Sequence, residues 1–295
     1  MLGKARSTAQ NLNLPMLVVT FDPHPMRLLR PDILRPYITT IEQRLNIISQ
    51  YEPQAIWLIA PDTDFLNTDH EYFEENILCR TLHARYLIEG RSFTYGRGAM
   101  GSTRTLRDAG VALGWDVIEV PTAEAVLSDQ TLVDVSSSLV RWLIGQGRMR
   151  DVTILLGRPY TLVGKVIHGA GRGASVLGYP TINLDCQQQI PADGVYAGSA
   201  TIEGCHHAAA ISVGVNSTFG DGPRTIEAFL LGGSGDFYDQ RVELALTHWL
   251  RDQERFPSVH LLARQMGRDA ARAKMLFNHA VVNPLPLEAI SQDRS

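Results

Sequence analysis

Residues 157–184 read GRPYTLVGKVIHGAGRGASVLGYPTINL, and the fold turns on this stretch. Ahead of it, short apolar runs alternate with amphipathic stretches, the rhythm of βα units on a parallel sheet. Met16 to Phe21, Ala55 to Ile59, Arg85 to Ile88 and Asp116 to Val120 read as strands. Thr40 to Gln50 carries Ile41, Leu45 and Ile48 at helical spacing, and Thr68 with Glu71 forms a capping-box pattern for a helix running to about Leu82. After Gly157-Arg158-Pro159 the pattern becomes short β-rich runs broken by Gly, Pro and Asp. These are Tyr160 to His168, Tyr179 to Leu184, Gly194 to Ile202, His206 to Val213, Thr225 to Leu231 and Arg241 to Thr247. From Ser258, read as an N-cap, apolar residues fall at Leu262, Met266, Ala270, Ala273 and Phe277. The expected fold is α/β followed by β: a doubly wound domain over residues 1–150, then a six-stranded antiparallel β-barrel with a C-terminal helix over 151–295.

The composition suits two globular cores. Of 295 residues, 44% are hydrophobic and 20% charged, and no run reaches the ~18 apolar residues of a membrane span. A formal net charge of -4 offers no basic field for a polyanion, so nucleic acid and membrane are not expected partners. The opening residues show no apolar segment behind the basic pair Lys4 and Arg6, and the three cysteines are widely spaced, which suits a reducing cytoplasm.

The segment from Gly169 to Leu184 holds the residues best suited to chemistry. Gly169, Gly171 and Gly173 let the backbone turn sharply and bring amides near a phosphate, and Arg172 adds a cationic fork. An ordinary barrel corner reads the same way, and no Walker A loop occurs. In Pro180-Thr181-Ile182-Asn183-Leu184 the period of two puts Thr181 and Asn183 on one face of a strand and Ile182 and Leu184 on the other. A hydroxyl beside an amide carbonyl suits Mg²⁺, which takes oxygen ligands and keeps water and substrate phosphates in its other positions. A polar solvent face is the alternative. His206 and His207 are adjacent on a strand, so they point to opposite faces and are not read as a metal pair.

The pattern G-x-G-R-G-x-x-x-L-G-x-P-T-x-N-L resembles the signature of riboflavin kinases. The similarity continues through Gly194-Val195-Tyr196-Ala197, Gly214-Val215-Asn216-Ser217-Thr218-Phe219, Thr225-Ile226-Glu227, Asp236-Phe237-Tyr238 and Leu250 to Phe256. The resemblance implies phosphoryl transfer from ATP to the 5′-hydroxyl of riboflavin, giving FMN. It further implies ATP contacts at Gly169, Gly171, Arg172, Gly173, Gly178, Pro180 and Thr181, Mg²⁺ on Thr181 and Asn183, a general base at Glu227, and flavin contacts at Arg251, Glu254 and Phe256. A primary alcohol must lose its proton as it attacks the γ-phosphate, and a carboxylate can accept it. Glu227 alternates with Ile226 and Ala228, which would leave it on the face opposite the buried one. The sequence departs from the family pattern at Ser217 (usually proline), Phe229 (commonly histidine) and Gly232-Gly233 (an acidic turn).

The first half is similar to the FAD synthetase module of bacterial bifunctional flavin enzymes, a nucleotidyltransferase-like domain. Phe21-Asp22-Pro23-His24-Pro25 matches F-x-P-H-P, Gly90 to Gly96 matches G-x-D-F-x-F-G, and Ser136-Ser137-Ser138-Leu139-Val140-Arg141 matches S-S-T-x-x-R. The vestige of an adenylyltransferase site would therefore hold His24, Ser137, Ser138 and Arg141. Each motif also has a structural reading, Pro-His-Pro as a turn and the serines as an N-cap. The superfamily's H-x-G-H element does not occur in the 295 residues, and Leu2, Ala5, Ala9 and Leu12 sit at helical spacing ahead of the strand at Met16. Ser92 and Met100 replace an acid and an arginine. The expectation is that this half does not make FAD, either because the start lies too far downstream or because the module has decayed into a scaffold. A bifunctional kinase/FAD synthetase and a non-catalytic flavin-binding regulatory protein are the rival readings.

Overall fold

The computed structural model describes residues 1–33, 36–168, 180–215, 223–233 and 235–282. They form two compact units: one from 1–35 with 40–123, the other from 36–39 with the chain from Glu124 on. The compact units part ahead of the 150/151 boundary read from the sequence rhythm. The physical reason is visible in the second unit. Helices α4 (Ser137–Gly145) and α5 (Met149–Leu156) bury Val140, Leu143, Ile144, Met149 and Val152 in the same core that fills the barrel. The short piece 36–39 joins them through Gln188, a buried amide that donates to the carbonyls of Ile38 (3.0 Å) and Thr161 (2.9 Å) and accepts from Val163 N–H (2.7 Å).

The first unit keeps the strand–helix alternation. Helix α1 (Leu2–Leu12) leads to strand β1 (Leu17–Phe21), and helix α2 (Ile41–Ser49) to strand β2 (Ala55–Ile59). Strand β3 (Tyr86–Gly90) is followed by helix α3 (Thr103–Leu113) and strand β4 (Asp116–Val120). The strands pair in parallel as β1 with β2 and β3 with β4. Helix α2 begins with a full capping box, Thr40 accepting from Gln43 N–H while the Gln43 side chain accepts from Thr40 N–H, which satisfies two end amides. The box expected at Thr68 and Glu71 does not form. Asp69 is the N-cap, Thr68 Oγ1 instead donates to the Asp64 carbonyl (3.1 Å), and the chain winds as a π-helix over Phe73–Thr81. Tyr95 crosses to this helix, donating its hydroxyl to the buried Glu74 carboxylate.

The second unit is built on a closed barrel of six antiparallel strands. They are β5 (Tyr160–Ile167), β6 (Thr181–Asp185), β7 (Gly194–Ile202), β8 (Cys205–Gly214), β9 (Thr225–Leu231) and β10 (Arg241–Arg251), joined in the order β6-β9-β8-β7-β10-β5. Alternation sends Ile182, Leu184, Ile226, Ala228 and Leu230 inward. Two glycines allow strands to pack where a side chain would not fit: a Cβ on Gly164 would lie 1.9 Å from the Asp185 carbonyl oxygen, and one on Gly198 1.9 Å from that of Ala245. Helix α6 (Val259–Val282) starts at the expected Ser258, whose hydroxyl accepts from Leu261 N–H (3.3 Å). Its apolar stripe lies on the outside of the barrel, where Met266, Ala273 and Leu276 cover Val195, Ala197, Ala210, Phe229 and Leu250. Among the described residues, no helix is long and apolar enough to cross a membrane.

Candidate functional site

Strand register assembles the site on the outer face of the barrel. Asn183 on β6 pairs with Glu227 on β9, Glu227 with Ser212 on β8, Ser212 with Val195 on β7, and Val195 with Arg251 on β10. Directly opposed residues in antiparallel strands lie about 4.5–5.5 Å apart at Cα and point to the same side. One step along, Thr181 pairs with Phe229, Phe229 with Ala210, and Ala210 with Ala197. Phe229, Ala210 and Ala197 lie under α6, whereas Asn183, Glu227 and Ser212 in the next row are only partly covered. The polar row therefore emerges where the apolar cover of the helix ends. The large ring of Phe229, where riboflavin kinases commonly have a histidine, is part of that cover.

Partial burial pushes the Glu227 carboxyl above its ordinary range, because the charged form loses solvation there. A base raised in this way sits closer to a neutral working pH. Thr181 and Asn183 share the face opposite the buried Ile182 and Leu184. Their hydroxyl and amide oxygens are a donor set that fits a hard divalent cation, with Glu227 in register beside Asn183 on the neighbouring strand. Among the described residues no cluster of three or more His, Cys, Asp or Glu stands ready to cage a metal. Pro180 continues the pairing of β6, its carbonyl accepting from Leu230 N–H (3.0 Å).

The segment after β10 borders this row. Arg251 donates through Nε (3.0 Å) and pairs through Nη2 (2.9 Å) with the same carboxylate oxygen of Asp269 on α6, and its guanidinium sits 5.5 Å from the Phe256 ring centre. Asp269 is buried and Arg251 mostly covered, the side chains being 8% and 16% exposed, so the pair locks the start of the segment to the helix. Gln253 Nε2 donates to Ser212 Oγ (2.8 Å) and to the Val213 carbonyl (3.1 Å). Phe256 is half-buried and Glu254 exposed.

Gly169, Gly171, Arg172, Gly173 and Gly178 lie outside the described residues, as does the stretch Asn216 to Phe219. Of the residues read as an adenylyltransferase vestige, His24 is in the first unit, and Ser137, Ser138 and Arg141 are in the second. His24 caps a short helix, Nδ1 accepting from Met26 N–H (3.2 Å). The cap of α4 is Ser136, whose hydroxyl accepts from Leu139 N–H (3.2 Å), so Ser137 and Ser138 are the first helical residues. Arg141 donates to the carbonyls of Pro36 (3.1 Å) and Ser137 (3.2 Å). Sequence reasoning missed Ser212, Gln253 and Asp269. Ser212 had a signal, a single hydroxyl ending the run Ala208-Ala209-Ala210-Ile211. Asp269 had another, an acid directly beside the apolar stripe at Ala270.

Residues 156–277 match the riboflavin kinase family and residues 1–137 the FAD synthetase family. A bifunctional riboflavin kinase/FMN adenylyltransferase from Pseudomonas fluorescens is 30% identical over 277 residues, covering 93% of this chain and 87% of its own length. The chain belongs to the bifunctional riboflavin kinase/FMN adenylyltransferase family. Members from Listeria monocytogenes and Escherichia coli K12 are 28% and 27% identical over 94% and 90% of this chain, covering 87% and 83% of their own lengths. In fold, the chain is similar to a crystal structure described as a macrolide-efflux protein from Streptococcus pneumoniae, with TM-score 0.76 and 26% identity over 92% of this chain and 88% of that one. The expectation that the first half does not make FAD finds no support in these comparisons, since both halves match and the relatives carry both names.

Proposed function

We propose that the chain makes FMN from riboflavin and ATP in its second half, residues 151–295, with Glu227 as the general base. The observation that carries this reading is the register of Glu227: it faces outward beside Asn183, one row from Thr181, with its carboxyl raised by burial. Glu227 takes the proton of the 5′-hydroxyl as that oxygen bonds to the γ-phosphorus. The bond from that phosphorus to the bridging oxygen breaks, and ADP leaves. Thr181 and Asn183 hold Mg²⁺ with the nucleotide phosphates, and a bound Mg²⁺ neutralises charge on those phosphates. By the sequence resemblance, Gly169, Gly171, Arg172, Gly173, Gly178 and Pro180 are the proposed nucleotide contacts. Phe256 and Arg251 border the flavin, Arg251 holding the segment through Asp269, and Glu254 stands exposed at its edge.

The second step proposed is adenylyl transfer from ATP to FMN, giving FAD and pyrophosphate, in the module read over residues 1–150. It rests on the match of residues 1–137 to FAD synthetases and on the bifunctional relatives. His24, Ser137, Ser138 and Arg141 are its candidate residues. Incubation with riboflavin, ATP and Mg²⁺, followed by chromatography of the flavins, tests both steps. FMN together with FAD supports both. FMN alone overturns the second. Flavin binding with neither product overturns both and leaves a non-catalytic flavin-binding protein.

A further inference from the structure

Ser212 is the one member of the polar row that neither the base nor the metal and phosphate assignment uses. It lies directly across from Glu227 and on the same face. Its oxygen accepts a hydrogen bond from Gln253 Nε2 (2.8 Å), and the same nitrogen donates to the Val213 carbonyl (3.1 Å), so the amide orientation is fixed by a group that can only accept. Ser212 therefore keeps its own proton for donation. The row below is sealed by Phe229, Ala210 and α6, while the Ser212 row is only partly covered. The hydroxyl is thus oriented, donor-ready and one strand spacing from the proposed base.

The chemistry that meets such a group beside a base acting on a primary alcohol is a polyol. We infer that Ser212, oriented by Gln253, hydrogen-bonds a secondary hydroxyl of the ribityl chain and so places the terminal hydroxyl at Glu227. This rests on the kinase reading above and adds to it a residue that distinguishes polyol-bearing flavins from others. Ser212 touches substrate and takes part in no bond-making step; Gln253 is a positioning residue that acts through Ser212.

The test pairs variants with substrates. Ser212→Ala should raise KM for riboflavin about fivefold, the worth of one ordinary hydrogen bond of about 1 kcal/mol, with KM for ATP unchanged. Gln253→Leu should give a similar, smaller rise. Riboflavin analogues in which the 2′-, 3′- or 4′-hydroxyl is replaced by hydrogen are then compared. With the analogue lacking the partner hydroxyl, wild type and Ser212→Ala should show the same KM. A Ser212→Ala penalty of equal size on all three analogues, or no penalty on riboflavin, overturns the inference while leaving the kinase reading intact. Failure of the wild-type protein to phosphorylate riboflavin overturns the kinase reading itself. Unchanged circular dichroism and melting temperature separate loss of the contact from loss of the fold.

Discussion

Replacing Glu89 by glutamine should free the first unit from a pH-dependent instability. Glu89 lies on β3 in register with Glu119 on β4. Glu119 has partners in Thr103 Oγ1 (3.2 Å) and Arg107 Nη2 (3.4 Å). Burial pushes the Glu89 carboxyl up from 4.5 to about 7. The folded chain therefore holds a proton there that the unfolded chain releases, and stability present below pH 4.5 is lost as the pH rises through 7. At 1.36 kcal/mol per pKa unit, the full effect is about 3 kcal/mol, reduced to about 2 because the side chain keeps some solvent contact. Glutamine has the shape of the protonated acid and never ionises. Calorimetric melts of the two proteins at pH 5 and pH 8 supply the assay, read on the transition of the first unit. Glu89→Gln should lead by about 0.6 kcal/mol at pH 5, just above the unfolded value of 4.5, and by about 2 kcal/mol at pH 8. A constant difference across that range, or one that grows as the pH falls, would refute the reasoning.

Three further substitutions probe the second unit. Gly164→Ala places a methyl 1.9 Å from the Asp185 carbonyl oxygen, so the β5–β6 pair must shift. A loss of about 3 kcal/mol in denaturant unfolding is expected; an unchanged midpoint would count against the packing described. Asp269→Ala takes the carboxylate from the mostly covered Arg251 guanidinium, leaving it the Asp252 carbonyl, and should cost about 3 kcal/mol. A joint replacement by Arg251→Met and Asp269→Leu should cost clearly less, as a double-mutant cycle would show. Gln188→Leu leaves Val163 N–H and two carbonyls without their partner and should cost about 2 kcal/mol, measured the same way.

The barrel was legible because its information is local. In β9 the alternation of Ile226, Ala228 and Leu230 with Thr225 and Glu227 is visible in the sequence and reappears as burial. Strand β10 runs four residues past its expected end at Thr247, to Arg251, because Trp249 packs against the core and Leu250 under α6. Register shifts on either side of Tyr196-Ala197 accommodate this extension, and nothing local announces them. The polar row was only half legible for the same reason. The period of two predicts that Thr181 and Asn183 share a face, but which strand lies beside them is a property of closure. The pairing of Asn183 with Glu227, and of Glu227 with Ser212, therefore became visible only in the fold. In the first unit, the helix begins one residue later than the pattern implies, with Asp69 rather than Thr68 at the N-cap position.

The central claim is that Glu227 deprotonates the riboflavin 5′-hydroxyl on the barrel face, and one comparison tests it most directly. Wild type and Glu227→Gln are mixed with riboflavin, ATP and Mg²⁺, FMN formation is followed at saturating substrate, and ATP affinity is measured in parallel. The account predicts that glutamine lowers turnover by about 10²–10⁴-fold, the usual worth of a general base, with ATP binding within about twofold of wild type, since the nucleotide is held by other groups. Turnover within about threefold of wild type would contradict it, because a general base accounts for far more than that.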